Sequence, residues 1–344
     1  MSRAAILAID GGNSKADVAL VGMDGAVLGA VRGPTISHQA VGMPEATRRL
    51  AALVARVRSG AGLSPEGPAP WRASVACLAG ADYPDDVRRL RAAFAPLAGD
   101  GSRDMLILND TFAVLRAGAT RPWGIALICG QGINAAAVTA GGRRIRFAGV
   151  GDIAGDWGGG GGVGMAGLAA AVRGQDGRGP RTALERTIPA AVGLRRPDAV
   201  THAYYAGRLD EARVGELAPT VFATAIDGDA VARAIIDRLA DELVGMAAAL
   251  ARRAGLVRRD PEVVLGGSVF RTQDAAFHDR LRAGIVAAIP AARVVRLAAP
   301  PVAGAALIAL DGLAPSGATD PAVADRIRAA LEAWSATAEV VTAS

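Results

Sequence analysis

The sequence contains the same short arrangement of elements twice. Residues 4–9 form a continuous apolar run, a glycine-containing turn follows at 11–14, and two further apolar strands are separated by Asp24-Gly25. Residues 124–150 repeat this order: "GIALIC", a Gly-rich turn, "AAAVTA", a Gly-Gly turn and "RRIRFAGV". Each copy is followed by alternating helical and strand patterns, which are typical of a sheet with parallel inner strands covered by helices. The sequence therefore predicts an α/β protein built from two copies of one domain.

The length of the chain agrees with this duplication. At 344 residues the chain is long for a single core. We expect a first domain at 1–118, a second at 119–313, and a final helix at about 320–335 that packs back on the first domain. Ligands of such sheets bind beyond the carboxyl ends of the strands. We therefore expect the site where the strand ends of the two domains face each other.

Composition excludes several classes of protein. The net charge is +5, but the basic residues are scattered arginines, Lys15 is the only lysine, and aromatic residues make up 4%, unlike a nucleic-acid stacking surface. Cys77 and Cys129 lie inside apolar runs without metal-binding spacing, as expected for core thiols in a reducing compartment. We see neither a signal peptide nor an apolar run of about 18 residues. We predict a cytoplasmic protein without nucleic-acid or membrane partners.

Two turns carry residues that suit phosphate chemistry. In Asp10-Gly-Gly-Asn-Ser-Lys15 the glycines let backbone N–H groups approach an anion, and Asp10 can hold Mg²⁺ through water. The same residues also suit a tight hairpin capped by Asp10. Gly130-Gln131-Gly132 occupies the equivalent position in the second copy. A matched pair of turns indicates that both grip one polyphosphate, which a single Gly-x-Gly would not.

Two strand ends carry further candidates. The run Val263–Ser268 breaks into Gly-Gly-Ser, where missing side chains suit a base or ribose lying on the backbone, although Ser268 could simply cap a helix. Asn109-Asp110 ends the strand "MLILND". A carboxylate there can accept a proton from an alcohol that attacks phosphorus, although Asp110 could also serve as a helix cap.

With these motifs in this order, the chain resembles the sugar kinase/Hsp70/actin superfamily. It is most similar to the N-acetylglucosamine kinase-like branch of the BadF/BadG/BcrA/BcrD ATPase family, over about residues 4–312. The resemblance implies two duplicated actin/ribonuclease H-like domains with an interdomain ATP cleft. The motifs that carry it are Asp10–Lys15 (phosphate-1), Gly130–Asn134 (phosphate-2), Val264–Ser268 (adenosine), Asn109-Asp110-Thr111, Gly155–Gly160, Asp176–Leu184 and Pro300–Leu307.

The resemblance also implies roles for these residues. It implies an ATP-dependent kinase for an amino sugar, with ATP and Mg²⁺ as cofactors, Asp110 as the general base and Asp10 organising Mg²⁺. The sugar would be held by Ser37, His38, Asn109, Asp110 and Asp156, and a homodimer is common in such kinases. The implied ATP contacts are Asp10, Gly11, Gly12, Asn13, Ser14, Lys15, Gly130, Gln131, Gly132, Gly266, Gly267 and Ser268.

The sequence departs from the family pattern at three places. The usual Gly-Thr-Gly-Ser turn is replaced by Gly130-Gln131-Gly132-Ile133, so the small hydroxyls are gone. An acidic residue of the sugar loop is replaced by Trp157, which could stack on a sugar or bury against its surroundings. The glycine run Gly158–Gly162 suits a mobile lid or a loop that needs space.

Two other functions stay open at this stage. One is an ATPase that energises a reductase or dehydratase partner, although such relatives hold a cluster with cysteines and both cysteines here lie in strands. The other is a non-catalytic ATP- and sugar-binding sensor, which the altered turn at Gln131 supports.

Overall fold

The computed structural model describes residues 5–65, 70–99 and 105–340. The first half of the chain forms a sheet in the order β3-β2-β1-β4-β5. Neighbours β1, β2 and β3 run antiparallel, whereas β1, β4 and β5 run parallel. The strands are β1 (Ala5–Gly11), β2 (Lys15–Gly22), β3 (Val27–Pro34), β4 (Trp71–Leu78) and β5 (Leu106–Asn109).

The apolar run of β1 is buried on both faces of this sheet. Leu7 and Ile9 pack in one cluster against two helices, whereas Ile6 and Ala8 face the opposite cluster. Each fully buried aliphatic side chain of this size contributes about 1.5–3 kcal/mol, which explains the continuous apolar pattern. The helices of this half are α1 (His38–Val41), α2 (Met43–Gly60), α3 (Pro84–Phe94) and α4 (Thr111–Gly118).

The second sheet has the order β10-β9-β6-β7-β8. Read from the other edge, this is the order of the first sheet, so the predicted duplication is confirmed. The strands are β6 (Gly124–Cys129), β7 (Ile133–Val138), β8 (Arg144–Arg146), β9 (Glu262–Gly266) and β10 (Arg293–Arg296). The third strand of this copy is shorter than the predicted run 143–150.

Most of the insertion between β8 and β9 is helical. Six helices, α5 to α10, lie between β8 and β9, and α10 packs against α11, which follows β9. The helices from here to the end are α5 (Gly159–Gln175), α6 (Leu184–Ala191), α7 (Pro197–Tyr205), α8 (Glu211–Gly215), α9 (Ala218–Ile226), α10 (Ala230–Ala254), α11 (Ala275–Ala288), α12 (Pro301–Leu313) and α13 (Pro321–Thr337).

The contacts divide the described chain into two compact units that differ from the predicted segments 1–118 and 119–313. The first unit comprises the described parts of Met1–Ala126, Ala136–Arg144 and Val295–Ser344, and the second comprises Leu127–Ala135 and Ile145–Val294. Helix α12 belongs to the first unit because it packs on β1 and α4. The approach to α4 is close enough that a β-carbon at Gly304 would overlap the carbonyl of Ala113.

The C-terminal helix α13 lies on the same face of the first sheet as α12. Its buried residues Ala324, Ile327 and Leu331 belong to the apolar cluster that contains Ile6 and Ala8. Arg326 donates a hydrogen bond to the carbonyl of Asp24. Within the described ranges, no helix is both long and apolar enough to cross a membrane.

Candidate active site

The first unit collects its candidate residues at one edge of its sheet. Asp10 lies beside Cys77 in the parallel pair of β1 and β4, and Asn109 lies beside Leu78 in the pair of β4 and β5. Since parallel strands end at the same edge, Asp10 and the Asn109-Asp110 pair come together there. The sequence separates them by about a hundred residues, and the sheet removes that separation.

The turn after β1 is fixed by short contacts. The backbone N–H of Gly12 donates to the carbonyl of Lys15 at 2.9 Å, and Thr35 Oγ1 donates to the carbonyl of Gly12 at 2.8 Å. A β-carbon at Gly11 would lie 2.7 Å from Leu78 Cδ2, so this glycine is required for packing. Asn13 and Ser14 are exposed at the tip of the turn.

Asp10 is surrounded by other charges. Burial raises the pKa of its carboxyl well above the usual value, and the carboxylates of Asp17 and Asp110 raise it further, whereas Lys15 and Arg32 lower it. A partly buried carboxylate with other carboxylates around it is an environment that a cation would stabilise.

Asn109 is held from two sides. Its Oδ1 atom accepts hydrogen bonds from the N–H and Oγ1 of Thr111, at 3.2 and 2.7 Å, and its Nδ2 atom donates to Asp82 at 3.1 Å. Asp110 occupies the N-cap position of α4, yet its side chain makes no capping hydrogen bond. The cap interpretation of Asp110 is therefore wrong, because Asn109 supplies the side-chain acceptor at this helix start.

Ser37 and His38 present buried polar atoms. Ser37 is 2% exposed, and neither its Oγ atom nor His38 Nδ1 has a hydrogen-bond partner among the described residues. The other ring nitrogen of His38 lies 3.9 Å from an Asp86 carboxylate oxygen. Leaving such atoms without a partner costs about 1–3 kcal/mol each, so they suit a polar ligand.

The glycine turn of the second unit is built into the start of α5. Gly130 N–H donates to the carbonyl of Gly132 at 2.9 Å. Gly160 N–H and Gly161 N–H in turn donate to the carbonyls of Gly130 and Gln131, both at 2.8 Å. The helix therefore starts directly on the turn.

The glycine run before and within α5 makes this contact possible. A β-carbon at Gly159, whose φ is +69°, would lie 2.6 Å from the Gly132 backbone. The prediction of a lid or loop is wrong for Gly159–Gly162, which form the first turn of α5. The helix tolerates its poor helix formers because larger residues would push it off the turn.

Gln131 fills the space beside this turn. Its Nε2 atom would lie 3.4 Å from a β-carbon at Gly161, and a β-carbon at Gly215 would overlap its amide. The long side chain in place of a small hydroxyl is therefore matched by a glycine at the end of α8.

A pocket of about 510 Å³ opens beside Gln131 within the second unit. Its wall is mostly apolar, and Ser268 lines it together with the glycine turn, as expected for a site that holds a planar organic group. The lining residues are Gly130, Gln131, Gly160, Gly215, Glu216, Ala218, Pro219, Phe222, Ala223, Ile226, Ser268, Val269, Arg271 and Thr272.

The glycines before Ser268 lie at the end of β9, and Gly267 is required by close packing. Gly266 is the last residue of β9, and Gly267 follows with a φ of +112°. A β-carbon at Gly267 would lie 2.6 Å from the backbone carbon of Cys129, so this glycine allows close packing within the protein. Ser268 begins a 3-10 turn and does not occupy its N-cap position, which removes the helix-cap interpretation.

Asp156 lies in the loop before α5 and is not among the residues that line this pocket. Burial raises the pKa of its carboxyl, although backbone hydrogen bonds from Val150 and Gly149 lower it. Its Oδ2 atom is buried without a partner among the described residues. The guanidinium of Arg238 lies 3.7 Å from the ring centroid of neighbouring Trp157, which favours packing over sugar stacking for that side of the ring.

The sequence reasoning missed three residues at the first edge. Asp17 is fully buried and paired with Arg32, whose Nε–Oδ1 distance is 2.7 Å. The Asp82 carboxylate accepts hydrogen bonds from the side-chain amides of Asn109, at 3.1 Å, and Gln39, at 3.4 Å. A charged residue inside the apolar strand 16–22 was the available signal for Asp17. No sequence signal pointed to Asp82, because it lies in the loop after β4 and its partner Asn109 lies at the end of β5.

Direct metal ligands are not clustered. Within residues 5–65, 70–99 and 105–340, no group of three or more His, Cys, Asp or Glu side chains could hold a metal ion. The two cysteines are buried and unbonded to each other. Burial raises the pKa of Cys129 to about 12, so it has the character of a core thiol.

Comparison with known proteins gives one family and several relatives. A family model described as the BadF/BadG/BcrA/BcrD ATPase family matches residues 7–309. An N-acetyl-D-glucosamine kinase from Dictyostelium discoideum is 25% identical over 321 residues, which cover 90% of this chain and 99% of the relative. An N-acetylmuramic acid/N-acetylglucosamine kinase from Clostridium acetobutylicum is 29% identical over 241 residues, covering 69% and 76%.

A solved structure supports the fold. The crystal structure of a protein described as an N-acetylglucosamine kinase from Chromobacterium violaceum matches with a TM-score of 0.68 and 21% identity, covering 89% of this chain and 99% of that one. The two five-stranded sheets of like order and this match identify the actin-like ATPase fold.

Proposed function

The chain belongs to the BadF/BadG/BcrA/BcrD ATPase family, and from this premise we propose that it transfers the γ-phosphoryl group of ATP to a hydroxyl of an amino sugar such as N-acetylglucosamine. The family and the two curated sugar-kinase relatives make it an ATP-dependent sugar kinase. The identity of the acceptor and the roles of individual residues are the substance of the proposal.

One observation carries the assignment of Asp110 as general base. Its negative charge contributes to the raised pKa of Asp10, and its side chain makes no hydrogen bond that caps α4. A general base must lie within reach of the acceptor hydroxyl that it deprotonates. Asp110 directly follows Asn109 at the sheet edge that also carries Asp10, the proposed metal-binding residue.

The residues around Asp110 suit a sugar. In the proposed reaction the Asp110 carboxylate accepts the hydroxyl proton while the sugar oxygen bonds to the γ-phosphorus and the bond to ADP breaks. The Asn109 amide, held by Thr111 and Asp82, would orient the acceptor. Ser37 Oγ and His38 Nδ1 would bond sugar hydroxyls, since both are buried without a protein partner among the described residues. Asp156 is a further candidate sugar contact.

The proposed magnesium site fits the charges at Asp10. This carboxylate is partly buried, and the charges of Asp17 and Asp110 raise its pKa, so a divalent cation would offset the mutual repulsion of the three groups. Asp10 would hold Mg²⁺ through water, because the described residues offer no cluster of direct ligands. Bound there, Mg²⁺ would supply charge neutralisation to the phosphates.

Each unit carries a glycine turn that is a candidate for nucleotide binding. The pocket beside Gln131, with Phe222, Ile226 and Val269 in its wall, would hold the adenine and ribose. The Gly130–Gly132 turn and the Gly11–Lys15 turn would receive phosphate oxygens through backbone N–H groups. Lys15, with 43% of its side chain exposed, would add a positive charge.

An ADP-release assay over a panel of sugars tests this function. We expect N-acetylglucosamine or a related amino sugar to be the best substrate. The Asp110→Asn variant should lower kcat for it by about 10²–10⁴-fold, the usual contribution of a general base. Asp227→Asn is the matched control, because Asp227 is exposed at the end of α9. Equal turnover by Asp110→Asn and wild type would reject the base assignment.

A further inference from the structure

All three guanidinium nitrogens of Arg32 donate hydrogen bonds, to Asp17 on one side and to residues near the C-terminus on the other. Its Nε atom donates to Asp17 Oδ1 at 2.7 Å, and one terminal nitrogen donates to Asp17 Oδ2 at 2.9 Å and to Ser335 Oγ at 2.8 Å. The other terminal nitrogen donates to the carbonyls of Ser335 and Ala338, at 3.4 and 3.3 Å. These are five bonds, which is the number of N–H donors that a guanidinium has.

The side opposite Asp17 is supplied by residues 334–340, which we term the C-terminal segment. Besides the three acceptors, the Trp334 ring lies with its centroid 5.2 Å from the guanidinium carbon of Arg32. Val340 forms an isolated parallel β-bridge with Arg32. This segment lies beyond the residues that match the family model, so the family does not account for its contacts.

The pair that Arg32 forms stands directly beside Asp10. Asp17 is opposite Asp10 in the antiparallel register of β1 and β2, and Arg32 is opposite Asp17 in that of β2 and β3. Lys15, the lysine of the proposed phosphate turn, also contacts Asp17, with an Nζ–Oδ2 distance of 3.1 Å. Asp17 is therefore shared between a buried arginine and the lysine of the turn.

We propose that the C-terminal segment is a positioning element of the active site: it holds Arg32 on Asp17, which keeps Asp17 from acting as a second metal-binding carboxylate and leaves Lys15 available for the nucleotide phosphates. The inference rests on the proposed function only in assigning Asp10 to the metal and Lys15 to the phosphates. Arg32 and the C-terminal segment touch neither reacting group and act through Asp17.

Loss of Arg32 has two effects of opposite sign. Asp17, fully buried, would lose its bidentate partner, and a divalent cation beside Asp10 would then meet two carboxylates and bind more tightly. Of the two cationic partners described for Asp17, Lys15 alone would then remain, at 3.1 Å, so Asp17 would hold Lys15 more strongly and the loss of a positive charge would disfavour phosphate. A purely structural role would instead weaken both metal and nucleotide binding.

The test compares wild type with Arg32→Met, Arg32→Lys and Ser335→Ala. Glu332→Gln is the matched control, because Glu332 is exposed on α13, the helix that contains Ser335. Three quantities are measured: the Mn²⁺ dissociation constant of the nucleotide-free protein by electron paramagnetic resonance, KM and kcat for MgATP, and Tm. The Mn²⁺ measurement uses the metal alone and does not depend on turnover.

For Arg32→Met we expect Mn²⁺ to bind roughly tenfold more tightly and KM for MgATP to rise roughly tenfold, with a smaller change in kcat. Ser335→Ala should shift both in the same directions by about twofold, since it removes one of five acceptors. Arg32→Lys should fall between wild type and Arg32→Met, because lysine keeps the charge without the bidentate geometry. Glu332→Gln should leave all three quantities unchanged.

The proposal is overturned if Mn²⁺ binding weakens together with nucleotide binding, if the Mn²⁺ constant does not change, or if neither wild type nor Arg32→Met binds Mn²⁺. If Arg32→Met fails to fold, the test rests on Ser335→Ala and Arg32→Lys. For these variants too, tighter Mn²⁺ binding with a raised KM for MgATP supports the proposal, and any other combination overturns it. A wild type that phosphorylates no sugar rejects the proposed function instead, and the Mn²⁺ constants then still decide the role of Arg32.

Discussion

Asn109 caps helix α4 from the residue before its N-cap, with Oδ1 accepting the Thr111 N–H at 3.2 Å and the Thr111 hydroxyl at 2.7 Å. Asp110, which occupies the N-cap position, makes no such bond. Asn109 therefore stabilises the start of α4, whereas the proposed role of accepting a proton belongs to its neighbour Asp110.

This division predicts different costs for the two residues. Asn109→Ala should lower the free energy of unfolding by about 1 kcal/mol, the typical value of a lost cap, and should also lower turnover. Asp110→Asn should destabilise the protein less than Asn109→Ala does, because the Asp110 side chain makes no capping hydrogen bond, while it lowers kcat. Urea unfolding followed by circular dichroism measures both. An Asp110→Asn protein as destabilised as Asn109→Ala would show that Asp110 has a structural role.

The start of α10 predicts a pH-dependent stability. Burial opposes ionisation of Asp229, but its hydrogen bonds with the N–H groups of Ala232 and Ala183 and with Thr182 prevail and leave its pKa below 3.8. A lowered pKa contributes stability that is present above the unfolded value and is lost as the pH falls through the folded value. Asp229→Ala should cost about 1–2 kcal/mol at pH 7, and this difference should shrink below pH 3.8.

The free energy of unfolding of wild type and Asp229→Ala is measured between about pH 2.5 and 7, the range over which a carboxyl group titrates. The difference between the two proteins at each pH tests the prediction. Asp227→Asn serves again as control, because Asp227 makes no side-chain contact at this helix start that the structure records. A wild-type advantage that grows as the pH falls would contradict the assigned sign.

Lys15 gives a chemical test of the first glycine turn, because it is the only lysine of the chain. Its ammonium is partly exposed, although it contacts Asp17. An amine-selective acylating reagent should modify Lys15, and saturating MgATP should slow this modification by at least about tenfold if phosphate covers the amine. Peptide mass mapping separates Lys15 from the chain terminus. Labelling at an unchanged rate with MgATP would place the phosphates away from this turn.

Gly215 tests the second glycine turn. A β-carbon there would displace the Gln131 amide, which lines the proposed nucleotide pocket. We expect Gly215→Ala to raise KM for ATP by about three- to tenfold, the effect of disturbing one contact. Gly245→Ala is the control, because a β-carbon at Gly245 meets nothing within 4 Å. It should stabilise α10 by about 0.5–1 kcal/mol and leave KM unchanged, and an unchanged KM in Gly215→Ala would remove Gln131 from the nucleotide site.

The strands and the duplication could be predicted because they depend on local patterns. The buried run at 4–9 became β1 at Ala5–Gly11, and "GIALIC" became β6 at Gly124–Cys129. In both cases a strand covered on two faces requires a run of apolar residues.

The remaining features depend on contacts between distant parts of the chain. The first turn of α5 lies so close to the Gly130–Gly132 turn that a β-carbon at Gly159 would overlap it, and no local propensity predicts that approach. The Asp17–Arg32 pair needs the register of β2 and β3, and its closure by Ser335 needs α13 to pack on this sheet. Sequence spacing alone carries no information on such pairings.

The most direct measurement of the central claim is mass-detected phosphorylation of N-acetylglucosamine by the purified protein with ATP and Mg²⁺. The account predicts one phosphate ester formed per ADP released, and almost none with Asp110→Asn. ADP released without a phosphorylated sugar would indicate an ATPase that serves a partner, and sugar binding without ADP would indicate a sensor. Either result would contradict the proposed kinase.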